Sequence, residues 1–161
     1  MPLSLNRLLE LQGLADRPWT ATVPVEARDL PITEADRKAA WEFYVELATR
    51  VATQPLGDEE GVELTALESI ASLFDTARDL MRRSGPGAAA FSTLVLALLN
   101  YRLRPFTAAW HKRAAEGRLG DPAISGRFRD ELRDLQADLR ATADALAEMA
   151  QVPRLSDHSA P

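Results

Sequence analysis

Apolar residues recur every three or four positions along four long stretches of the chain, the spacing that places them on one face of an α-helix. These stretches are residues 34–54, 58–83, 88–116 and 122–150. The linkers between them are short and contain Pro or Gly, so that consecutive helices are expected to lie side by side. The pattern predicts an all-α fold, an antiparallel up-down-up-down four-helix bundle over residues 33–152.

The N-terminal part follows a different pattern. Residues 3–14 repeat leucine at helical spacing and predict a short amphipathic helix. Residues 17–31 contain three prolines, which favour an extended arm laid over the bundle and anchored by Trp19. We therefore divide the chain into an N-terminal helix and extended arm (1–32), the bundle (33–152) and a polar tail (153–161), which we expect to be disordered.

Two local signals refine the helices. Thr33 followed by Asp36 has the spacing of a capping box with a carboxylate at its third position, and so predicts the start of the first bundle helix. Pro105 lies inside the third helix, where it has no N–H to donate to the carbonyl of Tyr101. A kink and a nearby hydrogen-bond donor are expected there.

Composition narrows the choice of protein class. The chain has 161 residues, 46% hydrophobic and 27% charged, which is enough for one core of a soluble globular protein. A net charge of -5 argues against general nucleic-acid binding. There is no cysteine, no secretory signal is evident, and the longest largely apolar run, residues 88–99, is shorter than the ~20 residues of a membrane-spanning helix. We expect a cytoplasmic protein with no membrane association.

One set of polar residues is a candidate site. Glu63 interrupts the apolar stripe of the second helix, and counting equal distances from the turn at Gly85 places it level with residue 107 of the third. We predict that Glu63 lies beside Arg104 or His111, with Arg102 as another possible partner, because a buried carboxylate needs pairing. The candidate ligand-binding residues are Glu63, Asn100, Arg104, Thr107, Trp110 and His111.

This cluster has two interpretations, a tether that fixes helix register or part of a functional pocket. Known chemistries are not indicated. The two histidines, His111 and His158, do not follow a glutamate by three residues, as a di-iron bundle would require, and no phosphate-binding Gly-Lys-Ser/Thr loop or Gly-x-Ser-x-Gly elbow occurs. We assign no catalytic residue, no metal ligand and no cofactor.

The favoured function is a non-enzymatic interaction or regulatory module. It would bind a protein partner or a second copy of itself through the arm and an aromatic surface around Phe106 and Trp110. The alternative is a small-molecule-binding or catalytic bundle with a polar pocket around Glu63, Arg104 and His111. A third possibility is an anionic ligand, small or polymeric, bound by the basic residues between 112 and 133.

One segment carries a resemblance to other proteins. Leu103-Arg104-Pro105-Phe106, followed after three residues by Trp110-His111, resembles a pattern of small uncharacterised bacterial helical proteins. The resemblance implies a helical fold and no known reaction.

Overall fold

The computed structural model describes residues 3–50 and 63–154, and the regular structure within these ranges is helical except for one antiparallel bridge between Ser4 and Pro31. The predicted all-α class is confirmed. The helices are α1 (Leu5–Leu11), α2 (Val25–Arg28), α3 (Glu34–Ala48), α4 (Glu63–Ala71), α5 (Leu73–Ser84), α6 (Ala89–Leu98), α7 (Arg104–Ala115) and α8 (Pro122–Ala150).

The N-terminal helix packs its leucines into the core. Leu5, Leu8 and Leu9 of α1 are fully buried, as is Leu14 just beyond it. Two backbone hydrogen bonds, from Leu5 N–H to the Leu30 carbonyl and from Ile32 N–H to the Leu3 carbonyl, fasten the two ends of this segment to each other. These leucines therefore pack against the chain's own core, whereas Leu11 of the same helix is 43% exposed.

The prediction of an extended arm over residues 17–31 was wrong in its conformation. The segment forms a 3-10 turn at Thr20–Thr22 and the single-turn helix α2. Pro24 immediately precedes α2, and the fixed φ of proline, here -55°, is compatible with the start of a helix as well as with extended chain. Trp19 is buried as expected.

The predicted capping box starts α3. Thr33 Oγ1 accepts from the Asp36 N–H, and Asp36 Oδ2 accepts from the Thr33 N–H at 2.8 Å. Asp36 is fully buried, and its other oxygen, Oδ1, accepts from the Phe91 N–H at the start of α6. One carboxylate thus satisfies free N–H groups at the ends of two helices. The helix ends at Ala48, six residues before the predicted end at residue 54, and Thr49 is its C-cap.

The second predicted helix is divided into α4 and α5 at Ser72. The Ser72 hydroxyl donates to the Ser69 carbonyl, and the guanidinium of Arg50, just beyond α3, contacts the same hydroxyl. Gly85 ends α5 with φ at +69°, a conformation that glycine adopts without steric cost. The predicted N-cap of this helix, Asp58, lies outside the described residues.

The third predicted helix continues from α6 to α7 through a π-helical turn at Leu99–Leu103. The Arg104 N–H bonds to the Leu99 carbonyl, five residues back instead of four. Pro105 lies immediately after this turn and supplies no N–H to the Tyr101 carbonyl, its acceptor in a regular α-helix. At the place where the sequence predicts a kink and a nearby donor, the structure has a π turn just before Pro105.

The longest helix, α8, lies along α3 and closes the core. The Asp121 side chain accepts from the Ala123 N–H at its start, with Pro122 in its first turn. Edge-to-face aromatic pairs, Phe43 with Phe91 and Trp110 with Phe128, fill the interior. Within the described ranges, no helix has both the length and the apolar character to cross a bilayer. Of the predicted tail, residues 155–161 lie outside the described part.

Candidate functional site

Glu63 does not pair with Arg104 or His111, and that prediction was wrong. Its Oε1 accepts from Ser125 Oγ at 2.6 Å and from Arg129 Nε at 2.9 Å, both on α8. The side chains of Glu63 and Arg129 are each 15% exposed. Burial raises the pKa of Glu63. The opposing effects are hydrogen bonds from Ser125, from its own backbone N–H and from Arg129, together with the positive charge of Arg129. These effects outweigh burial and hold the pKa of Glu63 below its ordinary value.

Two departures from regular helix explain the error. Counting distances from Gly85 assumed one unbroken helix on each side, but the turn at Ser72 separates α4 from α5, and the π turn adds a residue before Arg104. Helix α4 does pack against α7, but it also contacts α8. Because α4 contacts both helices, the count from Gly85 could not decide which of them Glu63 faces.

Three of the predicted site residues interact with one another along one helix. Arg104 Nη2 donates to Asn100 Oδ1 at 3.1 Å, and the Thr107 hydroxyl donates to the Arg104 carbonyl at 3.2 Å. The Arg104 guanidinium also lies 5.3 Å from the ring centroid of Phe74 on α5. Asn100 and Arg104 are exposed, but Thr107 is buried. These contacts are local helix-surface interactions rather than the wall of a pocket.

Trp110 is a core residue. It is fully buried, its Nε1 donates to Glu131 Oε2 at 2.8 Å, and its ring meets Phe128 edge to face at 5.0 Å. Phe106 is buried beside it, so the aromatic surface expected around these two residues is largely covered. His111 is exposed. The six candidate residues therefore do not converge on one site.

A buried carboxylate that the sequence reasoning missed lies under the π turn. Asp138 of α8 is 4% exposed, and its Oδ2 accepts from Arg102 Nε at 2.5 Å. Arg17 Nη1 lies 3.3 Å from Oδ1, as an ion pair without hydrogen-bond alignment. Arg102 thus pairs with Asp138 and not with Glu63. This charge cluster joins the N-terminal segment, the π turn and α8.

An open groove lies between α7 and α8, next to this cluster. It encloses about 280 Å³. Its lining combines apolar groups from α7 with carboxylates from α8, and consists of Arg102, Pro105, Phe106, Ala109, Glu131 and Asp134. Asp134 has no hydrogen-bond or ion-pair partner among the described residues, whereas Glu131 is held by Trp110 and Arg127.

A second hollow adjoins the groove at Ala109. It encloses about 270 Å³ and is mainly basic, with a lining of Ala109, Lys112, Arg113, Glu116 and Arg118. Arg113 lies 4.5 Å from the ring centroid of Trp110, and Arg118 pairs loosely with Glu116. The groove and the hollow therefore meet at Ala109 and together form one exposed strip along α7. The unpaired charge in the groove is the carboxylate of Asp134, whereas the charges in the hollow are mainly cationic.

The search for relatives gave no match among family models, curated proteins or solved structures. In the described ranges, no three metal-binding side chains of the His, Cys, Asp or Glu type form a group that could hold an ion.

The missed residues do leave a signal in the sequence. Asp138 lies three residues after Leu135 and four before Thr142, both buried, so it interrupts the apolar stripe of α8 as Glu63 interrupts that of its own helix. Glu131 falls on the same side, between Phe128 and Leu135. Applying the test used for Glu63 to α8 would have identified both carboxylates.

Proposed function

We propose that this protein is a non-enzymatic helical interaction module whose binding surface is the groove between α7 and α8. The observation that carries the proposal is the composition of this groove. Exposed Pro105 and Ala109, with the edge of buried Phe106 between them, form an apolar floor, and Asp134 offers a carboxylate that no described residue pairs with. Apolar surface beside an unpaired charge is typical of protein-binding surfaces, where the first supplies affinity and the second specificity.

The proposed scaffold for this surface is an antiparallel up-down-up-down four-helix bundle, with α4–α5 and α6–α7 each counted as one interrupted helix. Support comes from the packing of α3 against α5, α6 and α8, and of α4 against α7. Phe106 and Trp110 of α7 pack against Phe128 of α8, which holds the two walls of this surface in place, so little ordering free energy would be lost on binding.

The alternative, a small-molecule or catalytic pocket around Glu63, Arg104 and His111, has less support. The Glu63 carboxylate is held by Ser125 and Arg129, and Arg104 is held by Asn100 and the ring of Phe74. An acid or base in catalysis needs access to a substrate atom within hydrogen-bond distance. A closed ion pair on a neighbouring helix favours the tether interpretation of Glu63.

Site-specific photo-crosslinking in the native host tests the proposal. A photoreactive phenylalanine derivative replaces Ala109 at the groove or, as a control, exposed Ala89 at the start of α6. We expect a discrete crosslinked protein from position 109 that is absent from position 89. The identified protein, purified, should bind wild type more tightly than Asp134→Lys and should not distinguish Asp79→Lys, an exposed α5 control. No crosslink at 109, or equal crosslinking at both positions, would overturn the proposal.

A further inference from the structure

The exposed strip of α7 is complementary to itself in charge. On one side of Ala109, the groove has Glu131 and Asp134 along its α8 wall, and the one cation of its lining, Arg102, is paired with buried Asp138. On the other side, the hollow has three cations, Lys112, Arg113 and Arg118, against the single carboxylate of Glu116. Lys112, like Asp134, has no ion-pair partner among the described residues. An acidic half and a basic half thus meet at one small residue.

We propose that the occupant of the groove is a second copy of this chain, bound with α7 antiparallel to α7 across a twofold axis near Ala109. The inference rests on the proposed function and names the partner of that surface. A twofold axis brings the same patch of each subunit together, so a patch that binds itself must carry complementary halves on either side of the axis. The strip along α7 meets that requirement.

Contacts inside the chain fix which residues would meet. Arg102 pairs with Asp138 and Trp110 with Glu131, so α7 and α8 run antiparallel and Asp134 lies level with Phe106. Phe106 is three residues before Ala109, and Lys112 is three residues after it. In a symmetric antiparallel pair, positions equally far before and after the axis face each other. Lys112 therefore faces the partner subunit's Asp134, and the contact occurs twice.

The side chains near the axis permit close approach. Ala108 and Ala109 are both exposed on α7, and their methyl groups leave room for a second helix at the short end of the usual 8–10 Å interaxial range. Exposed Pro105 continues the apolar strip toward Tyr101, which is 57% exposed in the π turn. Burial of this strip would supply the apolar part of the interface, and the Lys112 to Asp134 pairs would set its register.

Charge exchange gives a direct test by analytical ultracentrifugation and native mass spectrometry of the full chain. Asp134→Lys places Lys opposite Lys, and Lys112→Asp places Asp opposite Asp. Each single variant should raise the dimer Kd by about tenfold or more, because like charges then face each other twice. The double variant Asp134→Lys, Lys112→Asp should regain a Kd near that of wild type. An equimolar mixture of the two single variants should form heterodimers.

Matched controls separate this contact from a general effect of charge. Asp79→Lys and Lys38→Asp change the same charges on exposed positions of α5 and α3 and should leave the Kd unchanged. Ala109→Gln should weaken the dimer by blocking close approach, while Ala89→Gln should not. Circular dichroism of every variant confirms that the helices are retained, so that loss of the dimer is not loss of the fold.

The outcomes are distinct. A wild-type chain that stays monomeric throughout the micromolar range overturns the inference. A dimer whose Kd is unchanged by the single substitutions, or is not restored in the double variant, also overturns it. If the chain is monomeric but the probe at Ala109 captures a different protein, self-association fails and the proposed function stands. If position 109 captures neither copy nor partner, the proposed function fails as well.

Discussion

The Asp36 carboxylate accepts a hydrogen bond from the Phe91 N–H at 2.9 Å, although 55 residues separate the two in sequence. The same carboxylate completes the capping box of α3 through Thr33. The start of α6 thus depends on a side chain in the first turn of α3. A single buried group therefore fixes the position of two helices relative to each other.

Asp36→Ala is expected to lower the free energy of unfolding by about 2–4 kcal/mol, because it removes a helix cap and leaves the buried Phe91 N–H without its acceptor. Urea denaturation followed by circular dichroism measures the change. Glu34→Ala removes an exposed carboxylate from the same first turn and is the control. Equal destabilisation by the two substitutions would show that only the charge of the first turn matters.

Arg17→Gln is expected to loosen the N-terminal segment selectively. Arg17 is the contact of that segment with buried Asp138, but its side chain is 46% exposed, so its contribution is reduced by solvent to about 1 kcal/mol or less. Amides of α1 and of the 3-10 turn at Thr20–Thr22 should exchange up to about fivefold faster in hydrogen-exchange mass spectrometry. Arg7→Gln, at an exposed position in α1, serves for comparison. If amide hydrogen exchange changed only in α8, the Arg17–Asp138 ion pair would not be what holds the N-terminal segment in place.

The Glu63 pair should make stability depend on pH. The folded pKa of Glu63 lies below its ordinary value, so its contribution is present above the unfolded pKa and is lost as the pH falls through the folded pKa. The difference in unfolding free energy between wild type and Glu63→Gln should be largest near neutral pH and shrink in acid. Denaturation at a series of pH values measures it. Glu68→Gln, on exposed α4 surface, controls for the loss of one carboxylate, and parallel curves for both variants would refute the prediction.

Glu131→Ala is expected to destabilise the protein by about 1–3 kcal/mol, because the buried Nε1 of Trp110 loses its acceptor. Glu131→Gln keeps an acceptor oxygen and should recover much of the loss. Asp130→Ala, at the adjacent exposed position, is the matched substitution. Thermal unfolding compares the three variants. If Asp130→Ala and Glu131→Ala lowered Tm equally, the hydrogen bond would have no measurable role.

Periodicity and caps were sufficient to predict where α3 and α8 begin, because these signals are local. The capping box at Thr33 and the predicted start of the fourth helix at residue 122 each depend on one turn of chain, and the structure confirms both. The conformation of residues 17–31 was not predictable in the same way, because proline at the start of a turn and proline in extended chain have similar φ values.

The partner of Glu63 could not be deduced from spacing. A carboxylate on an apolar stripe indicates that a cation is needed, but several arginines lie within reach of one helix level. The choice of Arg129 over Arg104 depends on the break at Ser72 and on the packing of α4 against both α7 and α8. These are tertiary relationships, and a helical wheel does not contain them.

The π turn at Leu99–Leu103 sets the rotational phase of every residue that follows it in α7. Each residue of an α-helix turns the chain by about 100°, so one residue fewer in this turn would rotate α7 by that angle. Buried Trp110 would leave its contact with Phe128, and Ala109 would leave the open strip. An insertion of one residue, rather than any side chain, thus decides which side of α7 is interior and which is available to another molecule.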